Sequence, residues 1–189
     1  MPGELERQGI VASDGLFAGP VAAIDRAYAR RKSSGDAAVE RGALADAIGQ
    51  AIAAISRLSE SADDTAAEVL GFQLAMLEDD ALAEPAYEAI AEGADASAAW
   101  QGALDAQIAE YETADDEYFR ARSADLCDIR DRVLRALAGE ASSGPNSGVV
   151  LFGSDITPTR FLETDWSAGG AIALTGGSVT SHAAMLARA

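Results

Sequence analysis

Apolar residues change period twice along this chain. Within the first thirty residues QGIVAS and PVAAI are short apolar runs separated by DGLFAG, whose Gly15 and Gly19 supply turns, so two strands are predicted. From Ser34 to Gly139 the spacing becomes helical. Leu44, Ile48, Ile52, Ile55 and Leu58 recur at intervals of three and four and mark the apolar stripe of a first helix. A second helix is predicted over Asp64 to Leu82, with Val69, Leu70, Leu74 and Leu77 on its core face. Pro85 suits the first turn of a third, AYEAIAEG, which Gly93 closes. Ser97 caps a fourth stretch through Trp100, Leu104, Ile108 and Tyr111, and a fifth runs from Asp115 through Phe119, Leu126, Ile129, Val133 and Leu137.

ASSGPNSG, from Ala141 to Gly148, reads as a linker, and beyond it the strand signals return in GVVLFG and AIALTG. The tail is then strand, Gly-Gly turn and helix start. Strand-like segments therefore flank a helical stretch at both ends. The expected class is α+β: a helical bundle inserted into an incomplete α/β domain. Residues 1–33 and 141–189 would form the two parts of the α/β domain and 34–140 the insertion. Two or three strands and one helix do not close a layered sheet, so the α/β part is expected to be truncated and the chain to be a piece of a longer protein.

Charge narrows the partners. Lys plus Arg number 14 and Asp plus Glu 31, a net charge of −17. Between Leu58 and Phe119 there are 17 acidic residues and no Lys or Arg. Such a field repels phosphate backbones and anionic lipid, which disfavours nucleic acid and membrane surfaces as partners, and it speeds encounter with a basic protein. A solvated, solubilising surface is the competing reading. The single cysteine, Cys127, excludes an internal disulfide. The N-terminal stretch lacks a basic segment followed by an apolar run, and no apolar stretch is long enough to span a bilayer, so a cytoplasmic location is expected.

One segment concentrates the chemistry. TGGSVTSHAAMLARA holds His182, the only histidine, behind Gly176 and Gly177 and at the start of a helix that Thr180 or Ser181 can cap. Free N–H groups at such a position favour bound negative charge, which suits a phosphorylated imidazole. A helix-start histidine without a role remains the alternative. A serine triad is disfavoured because Ser181 is adjacent in sequence, and no phosphate-binding GxxxxGK[ST] occurs. With one His and one Cys no metal site is expected, and the acidic trio Glu78, Asp79 and Asp80 reads as a solvated helix end.

GIVASDGLFAGPV, VLGFQLAMLEDDAL, ADDEYFRARSADLCDIRDRVL, VVLFGSDITPT and GGSVTSHAAMLARA occur in the order and spacing of the N-terminal domain of enzyme I of the phosphoenolpyruvate:sugar phosphotransferase system, which the chain resembles over nearly its whole length. TSHAAMLAR is also similar to the phosphohistidine segments of pyruvate phosphate dikinase and phosphoenolpyruvate synthase. The resemblance implies a helical docking domain inserted into a phosphohistidine (swivelling) domain. It implies that His182 takes a phosphoryl group from phosphoenolpyruvate on Nε2 and passes it to a histidine of an HPr-type carrier. Gly176, Gly177, Thr180 and Ser181 would then shape the phosphate loop, with Thr157 or Thr159 as the histidine's partner. Gln73, Met76, Leu77, Glu78, Asp79, Asp80, Leu82 and Cys127 would fall on the docking helices. The resemblance further implies that no cofactor binds this chain, and that phosphoenolpyruvate and Mg²⁺ are held by a C-terminal barrel. A dimer through that C-terminal part is implied for the full-length protein, and a monomer for this chain alone.

The chain departs from the family pattern at four places. The usual Gly-Gly-Arg-Thr-Ser-His becomes Gly176-Gly177-Ser178-Val179-Thr180-Ser181-His182, one residue longer and without the arginine. Phe161 stands where a threonine usually faces the histidine, Gln73 where a histidine is typical and Cys127 where an arginine is. These differences keep two further readings in view: a non-catalytic docking module with a vestigial phosphohistidine stub, and the swivelling domain of a dikinase.

Overall fold

The computed structural model describes residues 9–24, 31–60, 62, 64–140, 147–179 and 181–188. Its elements run β1 (Val21–Ala23), α1 (Ala37–Ser59), α2 (Asp64–Glu78), α3 (Asp80–Ala91), α4 (Ala96–Glu112), α5 (Glu117–Leu137), β2 (Val150–Gly153), α6 (Pro158–Glu163), β3 (Ala171–Leu174) and α7 (His182–Leu186). The α+β class is as expected. Most of the ASSGPNSG segment lies outside the described residues.

Short polar side chains start the helices. Asp36 accepts the N–H groups of Ala38 and Val39 at the head of α1, Asp79 that of Ala81 in α3, and Asp95 that of Ala98 in α4. Asp79 breaks the predicted Asp64–Leu82 helix in two, and α3 begins at Asp80, so that Pro85 sits inside that helix rather than in its first turn. Gly93 ends α3 as expected. At φ +105° it lets its own N–H reach Ile90 O and the Ala94 N–H reach Ala89 O, which satisfies two end carbonyls.

The helices bury one continuous core. Leu44, Ile55, Leu70, Ile90, Trp100, Leu104, Leu126, Ile129 and Val133 are all sealed from solvent, and the Trp100 indole donates to Arg130 O at 3.1 Å. On α1 the buried stripe is Leu44, Ala47, Ala51 and Ile55, whereas Ile48 and Ile52 are half-buried. The small alanines let α1 lie close to its neighbours, so volume at the contact outranks hydrophobicity in choosing the face.

The three strands form one parallel sheet in the order β1-β2-β3, with Ala22, Leu151 and Ile172 side by side. Parallel strands need long crossovers. The α1–α5 stretch supplies the first and α6 the second. A second, smaller cluster of Val149, Leu151, Ile156 and Ala183 lies against the sheet, with Phe161 and Trp166 packed on it. QGIVAS forms no strand among the described residues: Ile10 and Val11 are exposed. Its last two residues, Ala12 and Ser13, instead bond to the tail, Ser13 Oγ donating to Ala187 O at 2.9 Å and Arg188 Nη1 to Ala12 O at 3.0 Å.

Candidate functional site

The tail loop is fastened to the end of β2. Thr175 N–H donates to Gly153 O at 3.0 Å and Gly176 N–H to Ser154 O at 2.9 Å. A Cβ on Gly176 would lie 2.9 Å from that same Ser154 oxygen, and Gly177 holds φ at +80° with the Asp155 carboxylate 3.0 Å from where its Cβ would be. Both positions therefore need glycine, one for close backbone approach and the other for its left-handed conformation. Ser181 caps α7 by accepting the Ala184 N–H at 3.2 Å, which makes His182 the first residue of the helix. Arg188 Nη1 closes the loop from behind on Val179 O at 2.9 Å. Thr180 lies outside the described residues.

His182 leans on α5. Its Nδ1 stands 3.4 Å from Oδ1 of Asp125, a carboxylate fully buried in the fold, while the imidazole remains about a quarter exposed, at 23%. Asp125 Oδ1 makes no hydrogen bond of its own, so the ring nitrogen is the polar group facing it. Oδ2 accepts from Arg122 Nη1 at 3.1 Å, and that guanidinium lies 4.3 Å above the Phe72 ring. A carboxylate only accepts. A hydrogen bond from Nδ1–H to Oδ1 would favour the imidazole tautomer with its lone pair on Nε2. Among the described residues Nδ1 is the only ring nitrogen with a polar contact.

Asp125 belongs to a row. Asp128 and Arg132 follow it on the same face of α5, at spacings of three and four. Asp128 accepts from Thr159 Oγ1 at 2.6 Å, from Thr159 N–H at 3.0 Å and from Gln73 Nε2 at 3.1 Å. Arg132 Nη2 donates to Glu163 at 2.6 Å. Three buried groups of one helix thereby hold α7, the head of α6 and the end of α6.

Several expected roles change. Thr157 Oγ1 accepts the Arg160 N–H as the cap of α6, and Thr159 spends its hydroxyl on Asp128, so Asp125 takes the position foreseen for a threonine beside His182. Phe161 instead stacks on Trp166 with ring centroids 5.2 Å apart. Gln73 is fully buried and ties α2 to α5, which removes it from any docking surface. Leu77 and Leu82 are core residues, and Met76 is half-buried against the same core. Cys127 is half-buried and its thiol pKa is pushed up by desolvation. Glu78, Asp79 and Asp80 are exposed, with Asp79 occupied as a helix cap. Among the described residues no three His, Cys, Asp or Glu side chains converge as a metal site, and no helix is long and apolar enough to cross a membrane.

Asp125 and Arg122 escaped the sequence reading. Their one signal was polar residues interleaved at helical spacing with the buried Leu126, Ile129 and Val133, which marks a buried polar row only once a partner is known.

This helical bundle joined to a small parallel sheet is the fold of solved Enzyme I N-terminal domains. A solved structure titled "N-terminal domain of Enzyme 1 - Nitrogen" superposes with a TM-score of 0.70 at 19% identity, covering 94% of this chain and 77% of that one. A solution structure of Enzyme I gives a TM-score of 0.68 at 22% identity, over 95% of this chain and 77% of the other. The family described as "PEP-utilising enzyme, N-terminal" matches residues 8–122, and the chain belongs to that family. Among curated relatives, the phosphoryl donor subunit DhaM of the PEP-dependent dihydroxyacetone kinase of Escherichia coli is 35% identical over 129 residues, 67% of this chain and 27% of its own length. The phosphoenolpyruvate-protein phosphotransferase of Bacillus sp. (strain S) is 29% identical over 198 aligned positions, 95% of this chain and 33% of the relative. That of Listeria monocytogenes is 32% identical over 126 residues, 65% of this chain and 22% of the relative. The chain thus spans between about a fifth and a third of these relatives' length.

Proposed function

We infer that this chain is the phosphohistidine relay of a phosphoenolpyruvate-dependent phosphotransferase, with His182 as the covalent nucleophile. The observation that supports this reading is the approach of His182 Nδ1 to within 3.4 Å of the buried Asp125, an arrangement in which Nε2 would be the nitrogen for nucleophilic attack. In the charging step the Nε2 lone pair attacks the phosphorus of phosphoenolpyruvate. The P–N bond forms as the P–O bond to the enol breaks, and pyruvate leaves as its enolate, to be protonated. In discharge, a histidine of an HPr-type carrier attacks the same phosphorus and the P–N bond to His182 breaks. Transfer between two imidazoles asks for positioning and charge stabilisation more than covalent chemistry. Phosphoenolpyruvate and Mg²⁺ would be held by the part of the relatives that this chain does not span, so the chain alone is expected to be charged from the carrier side. The DhaM relative, a phosphoryl donor subunit by name, supports relay chemistry while leaving the acceptor protein open.

The test is intact-mass analysis after mixing the chain with phosphorylated HPr, beside a His182→Ala control. Gain of one phosphoryl group by the wild type alone is expected. No gain by a folded wild-type chain would favour the non-catalytic docking module.

A further inference from the structure

On another side of α5 the chain reverses its charge. A cleft of about 650 Å³ opens between α1, α5 and the end of α6, and three guanidinium groups line it: Arg57, Arg132 and Arg135. Two carboxylates, Glu140 and Glu163, share that lining. Three positive against two negative groups leave the cleft at +1 in a chain whose net charge is −17.

The guanidinium groups are under-used. Arg132 is only 3% exposed, yet it makes one hydrogen bond, from Nη2 to Glu163, and its Nε and Nη1 are buried without partners. Glu163 Oε2 is likewise without a hydrogen bond, and Arg135 Nη1 stands 3.9 Å from it, too far for one. Arg57 is exposed and uses Nε on Ala53 O at 3.1 Å, and among the described residues it has no ion pair. A buried guanidinium with unmet donors is costly, and an anion seated beside it offsets part of that cost through the low local dielectric. Arg57 and Arg135 provide the planar forks that grip oxyanions in pairs. The remaining wall, including Ala51, Ala54, Leu58 and Leu162, is small and apolar, which suits a short carbon skeleton, and the volume lies within the range of metabolite sites.

We propose that this cleft binds a small organic oxyanion, its charged head between Arg57 and Arg135 and its carbon body against the alanine wall of α1. The site stands apart from the relay chemistry and does not depend on it. Isothermal titration of the chain with inorganic phosphate and, separately, with succinate at constant ionic strength tests the proposal. Saturable one-site binding of at least one probe is expected. Phosphate preference would assign phosphate monoesters, succinate preference dicarboxylates, and equal binding the shared oxyanion chemistry. Arg57→Gln should weaken binding at least tenfold. Arg130→Gln, which alters an arginine paired with Asp105 and absent from the cleft lining, should leave it unchanged, as should His182→Ala. Circular dichroism of each variant shows that the helices persist. No saturable binding of either probe, or equal affinity in Arg57→Gln, overturns the proposal.

Discussion

Asp125 Oδ1 faces His182 Nδ1 at 3.4 Å from a fully buried position, while Arg122 holds its other oxygen. The helix that carries Asp125 is part of the large helical core, and the helix that carries His182 packs on the small sheet. A carboxylate of the helical core therefore faces the His182 ring.

Asp125→Asn should test that contact. Asn keeps the shape and can present its N–H₂ to Nδ1, which would reverse the preferred tautomer. We expect phosphoryl transfer from a charged carrier to fall by about ten- to a hundredfold, on the scale of a misplaced catalytic group. Carrier affinity should change little. A transfer rate equal to that of the wild type, followed by quenched-flow mass spectrometry, would remove Asp125 from the mechanism.

Gly177→Ala places a Cβ on a residue at φ +80°, within 3.0 Å of the Asp155 carboxylate. A cost of about 1–2 kcal/mol is expected from the left-handed conformation alone. Gly176→Ala should displace the loop more, since the obstructing atom is the backbone oxygen of Ser154. Thermal melts give the first number and the transfer assay shows whether the shifted loop still presents His182.

Glu40 gives a pH-dependent prediction. This carboxylate is 2% exposed and accepts from Ser34 Oγ at 2.6 Å and its N–H at 2.7 Å, from Ala96 N–H at 2.9 Å and from Arg31 at 2.6 Å. The Ser34 hydroxyl chiefly, with the other donors, outweighs desolvation and lowers its pKa from 4.5 to about 2. A carboxyl more acidic in the folded than in the unfolded chain stabilises fully above about 4.5 and loses that stabilisation as pH falls toward 2. Glu40→Gln should accordingly cost about 2–3 kcal/mol at pH 7 and progressively less below pH 4.5, read by urea denaturation at a series of pH values. A penalty that does not change with pH would show that packing, not charge, is what Glu40 supplies.

Thr159→Val removes a hydroxyl from the buried Asp128 while keeping the side-chain shape. Asp128 keeps two N–H donors, from Thr159 itself and from Gln73. A loss of about 1–3 kcal/mol is expected. Wild-type stability in this variant would mean that the Asp128 row contributes little to joining α5 and α6.

Association with a carrier should weaken steeply with salt. The stretch from Glu60 to Glu117 holds 17 acidic residues and no Lys or Arg of its own, and the exposed Glu78, Asp79 and Asp80 sit among them. Raising ionic strength from about 0.01 to 0.15 M shortens the screening length from about 30 to 8 Å and should slow association by at least tenfold. An association rate independent of salt in stopped-flow measurements would return the acidic surface to a plain solubilising role.

What the sequence determined is everything that depends on local chemistry. Helical spacing placed Val69, Leu70, Leu104, Ile129 and Val133 in the core, Gly93 ended its helix, and the Gly-Gly turn put His182 at a helix start. Each of these follows from period, from a cap or from a positive φ, all of which act within a few residues. Only the tertiary structure decided the rest. It buried Gln73, which spacing alone could not separate from a surface. It chose Ala47 and Ala51 over Ile48 and Ile52 as the face of α1, because the distance between helices is not written in either one. And it brought Asp125 to His182 across 57 positions of sequence, since a carboxylate becomes a partner only when the packing of two separate cores leaves it no water to face.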